Sequence, residues 1–281
     1  MKSVIKVGIV GYGFVGKAVE YGFSKNTEIF KVDPLLNTSL KDLQNFLPDI
    51  IFACLPTPMV KKGLDSSIIE KAFSEMDKLS FKCPIVIKST VLPHIIHKII
   101  KGTKLKIVYN PEFLREKHFK HDFTNPQMII LSGDKKEVNE VKKIYQNNSI
   151  CKNFNFKVMD ISSASLIKYA INSFLATKVI FFNELKEIFD NQVKGMKWSD
   201  FTDIICEDSR IGSSHLNVPG HDGRKGFGGA CFPKDTYALM KYSEDIGMKL
   251  NLLDEAIKIN NEIRNEYSRE SDREKEQNIK F

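Results

Sequence analysis

Val7-Gly8-Ile9-Val10-Gly11-Tyr12-Gly13-Phe14-Val15-Gly16 is an apolar strand that runs directly into a G-x-G-x-x-G turn, and its reading decides the fold. In a strand–turn–helix unit the three glycines serve different ends. Gly11 permits the tight turn, Gly13 lets a pyrophosphate approach the backbone, and Gly16 lets the helix pack closely on the strand. The N–H groups that open the helix then face the phosphates. The turn alone is weak evidence, and its context carries the reading. The next strand, Glu28–Val32, ends at Asp33, about 20 residues beyond the turn. A carboxylate there accepts hydrogen bonds from ribose hydroxyls and repels a 2′-phosphate, so NAD is expected rather than NADP. Gly11, Tyr12, Gly13, Phe14, Val15, Gly16 and Asp33 are the first candidate cofactor residues.

Outward from this unit, short apolar runs alternate with helical stretches to about residue 134, the pattern of a parallel sheet wrapped by helices. Strands are expected at Val4–Val10, Glu28–Val32, Asp49–Cys54, Ile85–Lys88, Lys106–Tyr109 and Gln127–Ser132. The fold class is α/β, a Rossmann-like doubly wound domain over residues 1–160. Pro56-Thr57-Pro58 and Ser89-Thr90 lie just past carboxyl ends of strands, where open α/β sheets bind ligands, so Pro56, Thr57 and Thr90 join the cofactor candidates. After Asp160 the texture changes. Ser162–Asp190 is almost free of Gly and Pro and reads as one long helix, with Ser162 or Ser163 as its N-cap. At about 1.5 Å per residue it runs for roughly 40 Å, more than one small domain covers. Packing against a second copy of the chain is the expectation, and a buried hairpin within the chain the alternative. Trp198–Cys206, Asp235–Ile246 and Leu250–Glu266 read as further helices of an all-α domain over 161–267. Residues 268–281 are a run of mixed charge that reads as a frayed tail.

The chain has 281 residues and a formal charge of +7, with lysines spread throughout, which reads as a solvated surface rather than a nucleic-acid groove. Its five cysteines (Cys54, Cys83, Cys151, Cys206, Cys231) show no C-x-x-C spacing, so neither a disulfide framework nor a zinc site is indicated, and a cytoplasmic setting fits. The first residues lack the features of a signal peptide. No apolar run approaches the roughly 18–20 residues of a membrane span. His94-x-x-His97 and His118-x-x-His121 lack a third ligand, and no metal is expected.

Gly228-Gly229-Ala230-Cys231-Phe232-Pro233-Lys234-Asp235 places a cysteine where backbone can come close to a ligand and where Lys234 and Asp235 can tune a thiol or position water. Lys168 and Asn172, four apart on the long helix, offer a cation and an amide from one face. Asn110-Pro111-Glu112-Phe113-Leu114-Arg115-Glu116 sets two carboxylates beyond a strand. With Gly11–Gly16, Pro56–Pro58, Ser89-Thr90-Val91 and Asp208-x-Arg210-Ile211-Gly212, these segments stand in the order of the UDP-glucose/GDP-mannose dehydrogenase family, which the chain resembles to about residue 266, its UDP-glucose 6-dehydrogenases most closely.

The resemblance implies a four-electron oxidation of a nucleotide sugar's C6 alcohol to the carboxylate by two NAD in turn. Cys231 would form a thiohemiacetal and then a thioester, Lys168 and Asn172 would stabilise the oxyanion, and Asp235 would hold water. Glu112 would act as base for hydrolysis, with Glu116 and Thr90 nearer the nicotinamide. Glu112, Phe113, Leu114, Lys168, Asn172, Arg210, Phe227 and Gly228 would line the sugar-nucleotide site. Arg210 would reach a neighbour's site, which implies a homodimer. Family members carry a third, nucleotide-binding domain that these residues do not include. The segment Ser213–Lys225 is longer than is usual there, and Arg224 and Lys225 are expected to hold a diphosphate. Two other readings stay open: a related NAD-dependent hydroxy-acid dehydrogenase, and a non-catalytic, partner-dependent NAD-binding homologue.

Overall fold

The computed structural model describes residues 4–60, 63–267 and 271–281. In chain order the elements are β1 (Ile5–Val10), α1 (Phe14–Gly22), β2 (Thr27–Val32), α2 (Leu40–Phe46), β3 (Ile50–Ala53), β4 (Met59–Val60), β5 (Gly63–Leu64), α3 (Ser67–Lys78), β6 (Pro84–Ile87), α4 (Pro93–Gly102) and β7 (Lys106–Tyr109). They continue with α5 (Phe119–Thr124), β8 (Ile129–Gly133), α6 (Lys135–Asn148), β9 (Phe156–Val158), α7 (Ile161–Gln192), α8 (Trp198–Glu207), α9 (Phe232–Asp245), α10 (Asn251–Asn265) and α11 (Asp272–Glu276). Two compact units result. The first comprises Met1–Thr57 and Asp65–Lys168, the second Pro58–Leu64 and Tyr169–Phe281.

The first unit is built on a seven-stranded sheet in the order β2-β1-β3-β6-β7-β8-β9. All neighbours are parallel except β7 and β8. Its central strands are buried on both faces, which is why they read as continuous apolar runs. The two-residue period sorts their side chains between two cores. Ile51, Ala53, Ile85 and Ile87 join α2 and α3 residues such as Leu43 and Phe73 on one side. Ile50, Phe52 and Val86 join Val19 of α1, Phe23 at its C-terminal end and Tyr145 of α6 on the other. The reversal of β8 and the short, largely exposed β9 depart from the expected pattern, because an apolar run carries no sign of direction and β9 scarcely has one.

The long helix forms as expected, but its cap is Asp160 rather than a serine. The Asp160 carboxylate accepts the Ser163 N–H at 2.9 Å, and an anion there also suits the helix dipole. By length and composition α7 meets the measure of a membrane-crossing helix, with a mean hydropathy of 1.2, contrary to the expectation from uninterrupted apolar runs. Lys168 and Lys178 break the run without lowering that mean below the mark. Half of that window is buried within the protein, as in a core helix.

In the second unit Ala176 and Ile180 of α7 pack with Phe227 and Ala256. Asn183 and Asn260 accept the N–H groups of Gly226 and Phe227, fixing the loop ahead of α9. Residues 268–270 of the charged tail lie outside the described residues. The rest differs from the expectation of fraying: 271–281 include α11, bury Glu274 and Ile279, and accept the Met59 N–H at the Gln277 carbonyl. The charges are ordered because a buried guanidinium, Arg264, awaits one of them.

Candidate functional site

The glycine turn has the geometry of a dinucleotide cradle. Gly11 sits at φ +89°, and a Cβ there would lie 2.6 Å from the Cys54 carbonyl oxygen. A Cβ on Gly16 would lie 2.3 Å from the Gly11 oxygen, whereas one on Gly13 meets nothing within 4 Å, which leaves room for a pyrophosphate. No side chain caps α1, so its first N–H groups can serve an anion. Phe14 and Val15 are half-buried in its first turn. Asp33, at the end of β2, accepts the Tyr12 N–H at 2.7 Å and the Leu35 N–H at 2.9 Å, holding its carboxylate beside the turn. The Tyr12 hydroxyl donates to Glu20, and burial together with that carboxylate pushes its pKa up to about 12. The ends of β3 and β6 are tied by Thr57 Oγ1 donating to the Thr90 carbonyl at 3.2 Å and by Ser89 Oγ donating to the Leu55 carbonyl at 2.6 Å. Pro56 is exposed beside them. These residues fit a bound NAD.

Beyond β7, Glu112 is buried and accepts the Leu114 N–H at 2.6 Å. Phe113 places its ring 5.1 Å from Nζ of Lys168, itself buried. Glu116 opens a 3₁₀ turn, Glu116–His118, and its side chain lies outside the described residues. A residue that sequence reasoning missed stands beneath this loop. Lys88 is buried and donates to Asn110 Oδ1 at 3.0 Å, which also accepts the Tyr145 hydroxyl at 2.6 Å. Burial pulls the Lys88 ammonium down to about 8, against the opposing pull of Glu112. Its only sequence sign is a lysine closing an apolar strand directly before Ser89-Thr90.

In the second unit Cys231 is the N-cap of α9, half-buried, with Pro233 in the first turn. One turn on, the Asp235 N–H donates to the Cys231 carbonyl at 2.8 Å. The Asp235 carboxylate is buried between Lys234 Nζ and Asn172 Nδ2, each at 2.6 Å. Phe227 is buried, and Gly228 has no room for a Cβ, which would fall 1.6 Å from an Arg264 nitrogen. Arg210 is exposed and rests on Asp208 of its own turn. Arg224 and Lys225, the residues expected at a diphosphate, pair with carboxylates of their own unit. The Arg224 guanidinium lies 3.8 Å from Glu274 and over the Tyr267 ring, and Lys225 reaches Glu187 at 3.3 Å.

A Rossmann-like unit with a glycine cradle and an aspartate held beside it defines a dinucleotide-binding class of fold. The chain belongs to the UDP-glucose/GDP-mannose dehydrogenase family: residues 38–149 match the family's NAD binding domain and 162–262 its central domain. It is 36% identical to a UDP-glucose 6-dehydrogenase of Rickettsia conorii over 229 residues, 78% of this chain and 50% of that one. A UDP-glucose 6-dehydrogenase of Bacillus subtilis is 34% identical over 229 residues, 77% of this chain and 47% of the relative. The chain thus spans about half the length of the curated relatives it matches. A UDP-glucose dehydrogenase structure from Pyrobaculum islandicum shares the fold, with a TM-score of 0.76 at 23% identity over 92% of this chain and 68% of the other.

Proposed function

We propose that this chain carries out NAD-dependent oxidation of a nucleotide sugar's C6 alcohol to the carboxylate, UDP-glucose to UDP-glucuronate, in a cytoplasmic setting. The observation that carries the reading is the buried Lys234–Asp235–Asn172 network one turn from Cys231, at the helix end where backbone N–H groups favour an anion. The names of the relatives support the substrate.

Gly11–Gly16 and Asp33, with Thr57 and Thr90 at the strand ends, would hold NAD, which when bound would supply a hydride acceptor for each of the two oxidations. The chain's own groups do the rest. After the alcohol has become an aldehyde, Cys231 Sγ bonds to the carbonyl carbon, the π electrons move to the oxygen, and the thiol proton passes to water. The resulting oxyanion is stabilised by Lys168 and the Asn172 amide. Loss of hydride from this adduct leaves a thioester. Glu112 takes a proton from water as the water adds to the acyl carbon, and the C–S bond then breaks to return the thiol. Asp235 holds water and orients Asn172. The test is NADH formation with NAD and a panel of UDP-glucose, UDP-N-acetyl sugars and GDP-mannose. Two NADH per UDP-glucose consumed are expected. NAD binding without turnover on any of them sinks the reading and favours a non-catalytic homologue.

A homodimer is proposed from α7. Phe174, Phe181 and Ile188 stand 68%, 58% and 61% exposed at seven-residue spacing, a stripe that one copy leaves in water. Arg210 would then serve the neighbour's substrate site. Light scattering should give twice the chain mass for wild type and the single mass for Phe174→Glu/Phe181→Glu. A monomeric wild type, or a dimeric double variant, overturns this.

A further inference from the structure

Glu274 stands in a charged run whose composition assigns it to water, yet none of its side chain is exposed. Helix α11 uses only one of its oxygens. In the capping box Oε2 accepts the Ser271 N–H at 2.6 Å, while Ser271 Oγ accepts the Glu274 N–H at 3.2 Å. Oε1 turns away from the helix. It accepts the Gly229 N–H at 3.0 Å and Nη2 of Arg264 at 2.7 Å. Arg264 is as deeply buried, and its Nη1 donates to Asp222 at 2.8 Å. With Arg224 3.8 Å from Oε2, two guanidiniums face two carboxylates, so the charges are balanced: Arg264 and Glu274 are buried, Arg224 and Asp222 partly so.

The arrangement bears on the cysteine because of where the Gly229 amide sits. Gly229 has φ +76°, bears no side chain and lies two residues before Cys231, so it is through its backbone that this residue can be held. Gly228 must be glycine for Arg264 and Glu274 to approach, since a Cβ would lie 2.5 Å from the Glu274 oxygen. The segment is anchored besides by Ile279, 1% exposed, and by Phe281, whose ring lies 5.2 Å from the Arg264 guanidinium. Buried hydrogen bonds between charged groups hold the segments they join in a defined arrangement.

We propose that Glu274 is a positioning residue: with Arg264 it fixes the Gly228–Gly229 turn and thereby Cys231, making residues 271–281 a working part of the catalytic unit. The proposal rests on the reading of Cys231 as nucleophile. Its test compares the full chain with Glu274→Gln, which keeps the shape and loses the charge, and Glu274→Ala. Backbone hydrogen exchange, turnover and NAD affinity are measured on each. In Glu274→Gln, exchange over residues 226–233 should rise at least tenfold and kcat fall at least tenfold, with NAD affinity and exchange in α7 unchanged. Glu274→Ala should go further in the same direction. Wild-type exchange over 226–233 overturns the proposal, as does faster exchange spread evenly over 169–281. If Glu274→Ala fails to fold, Glu274→Gln decides. If wild type turns over no nucleotide sugar, the catalytic reading fails by itself. Exchange and the alkylation rate of Cys231 by iodoacetamide then decide the brace, both changed supporting it and both unchanged overturning it.

Discussion

Cys231→Ala should bind NAD as wild type does and yield almost no carboxylate from UDP-glucose, with acid formation down by about 10³-fold or more, or roughly 4 kcal/mol of transition-state stabilisation. The expectation follows from the difference between the two oxidations. An alcohol can lose hydride once its proton is removed, and that step needs no thiol. An aldehyde has no lone pair placed to expel hydride until something adds to its carbon. In the proposed mechanism the Cys231 thiol is that addend, and the resulting oxyanion would drive the second transfer. NADH per sugar consumed should therefore fall from two to one or less. The truncation leaves Pro233 to fix the first turn of α9. Melting within a few degrees of wild type would keep the loss on chemistry. Continued production of two NADH per sugar by the alanine variant would exclude a covalent route.

How far such chemistry is legible in the sequence depends on whether the signal is local. The strand, the glycine turn and Asp33 lie within one βαβ unit, and their spacing alone determines the cradle. The same holds for Cys231, Lys234 and Asp235, which share the first turn of α9. Lys88 escapes such a reading because a lysine at a strand end reads as solvated. Only the fold shows Asn110 and Glu112 closing over it. Glu274 is misread for a deeper reason. Its partners, Arg264 and Gly229, lie 10 and 45 residues away, and a run of mixed charge does not say which of its carboxylates will meet a buried guanidinium. Likewise the sequence does not show that Arg224 lies beside Glu274 and Lys225 beside Glu187.

Glu112→Gln should separate the oxidations from the hydrolysis that follows. Removing a general base lowers a rate by about 10²–10⁴-fold, and here the loss should fall on one step only. Two NADH should appear per active site in a rapid burst, after which turnover slows by about 10²-fold. The Cys231 peptide should then carry the mass of the sugar acyl group, released by hydroxylamine as expected for a thioester. Glutamine retains an oxygen to accept the Leu114 N–H, so the loop has what it needs to hold its course. The charge change has a second effect that must be told apart. Glu112 helps to keep the buried Lys88 ammonium charged, and without it Lys88 should lose its proton more readily. That change belongs to the folded state of the first unit and would slow both oxidations together, reducing the burst as well as the steady rate. A full burst with slow turnover assigns Glu112 to hydrolysis. A burst slowed in proportion to turnover removes it from that role and moves it to support of Lys88 and the loop.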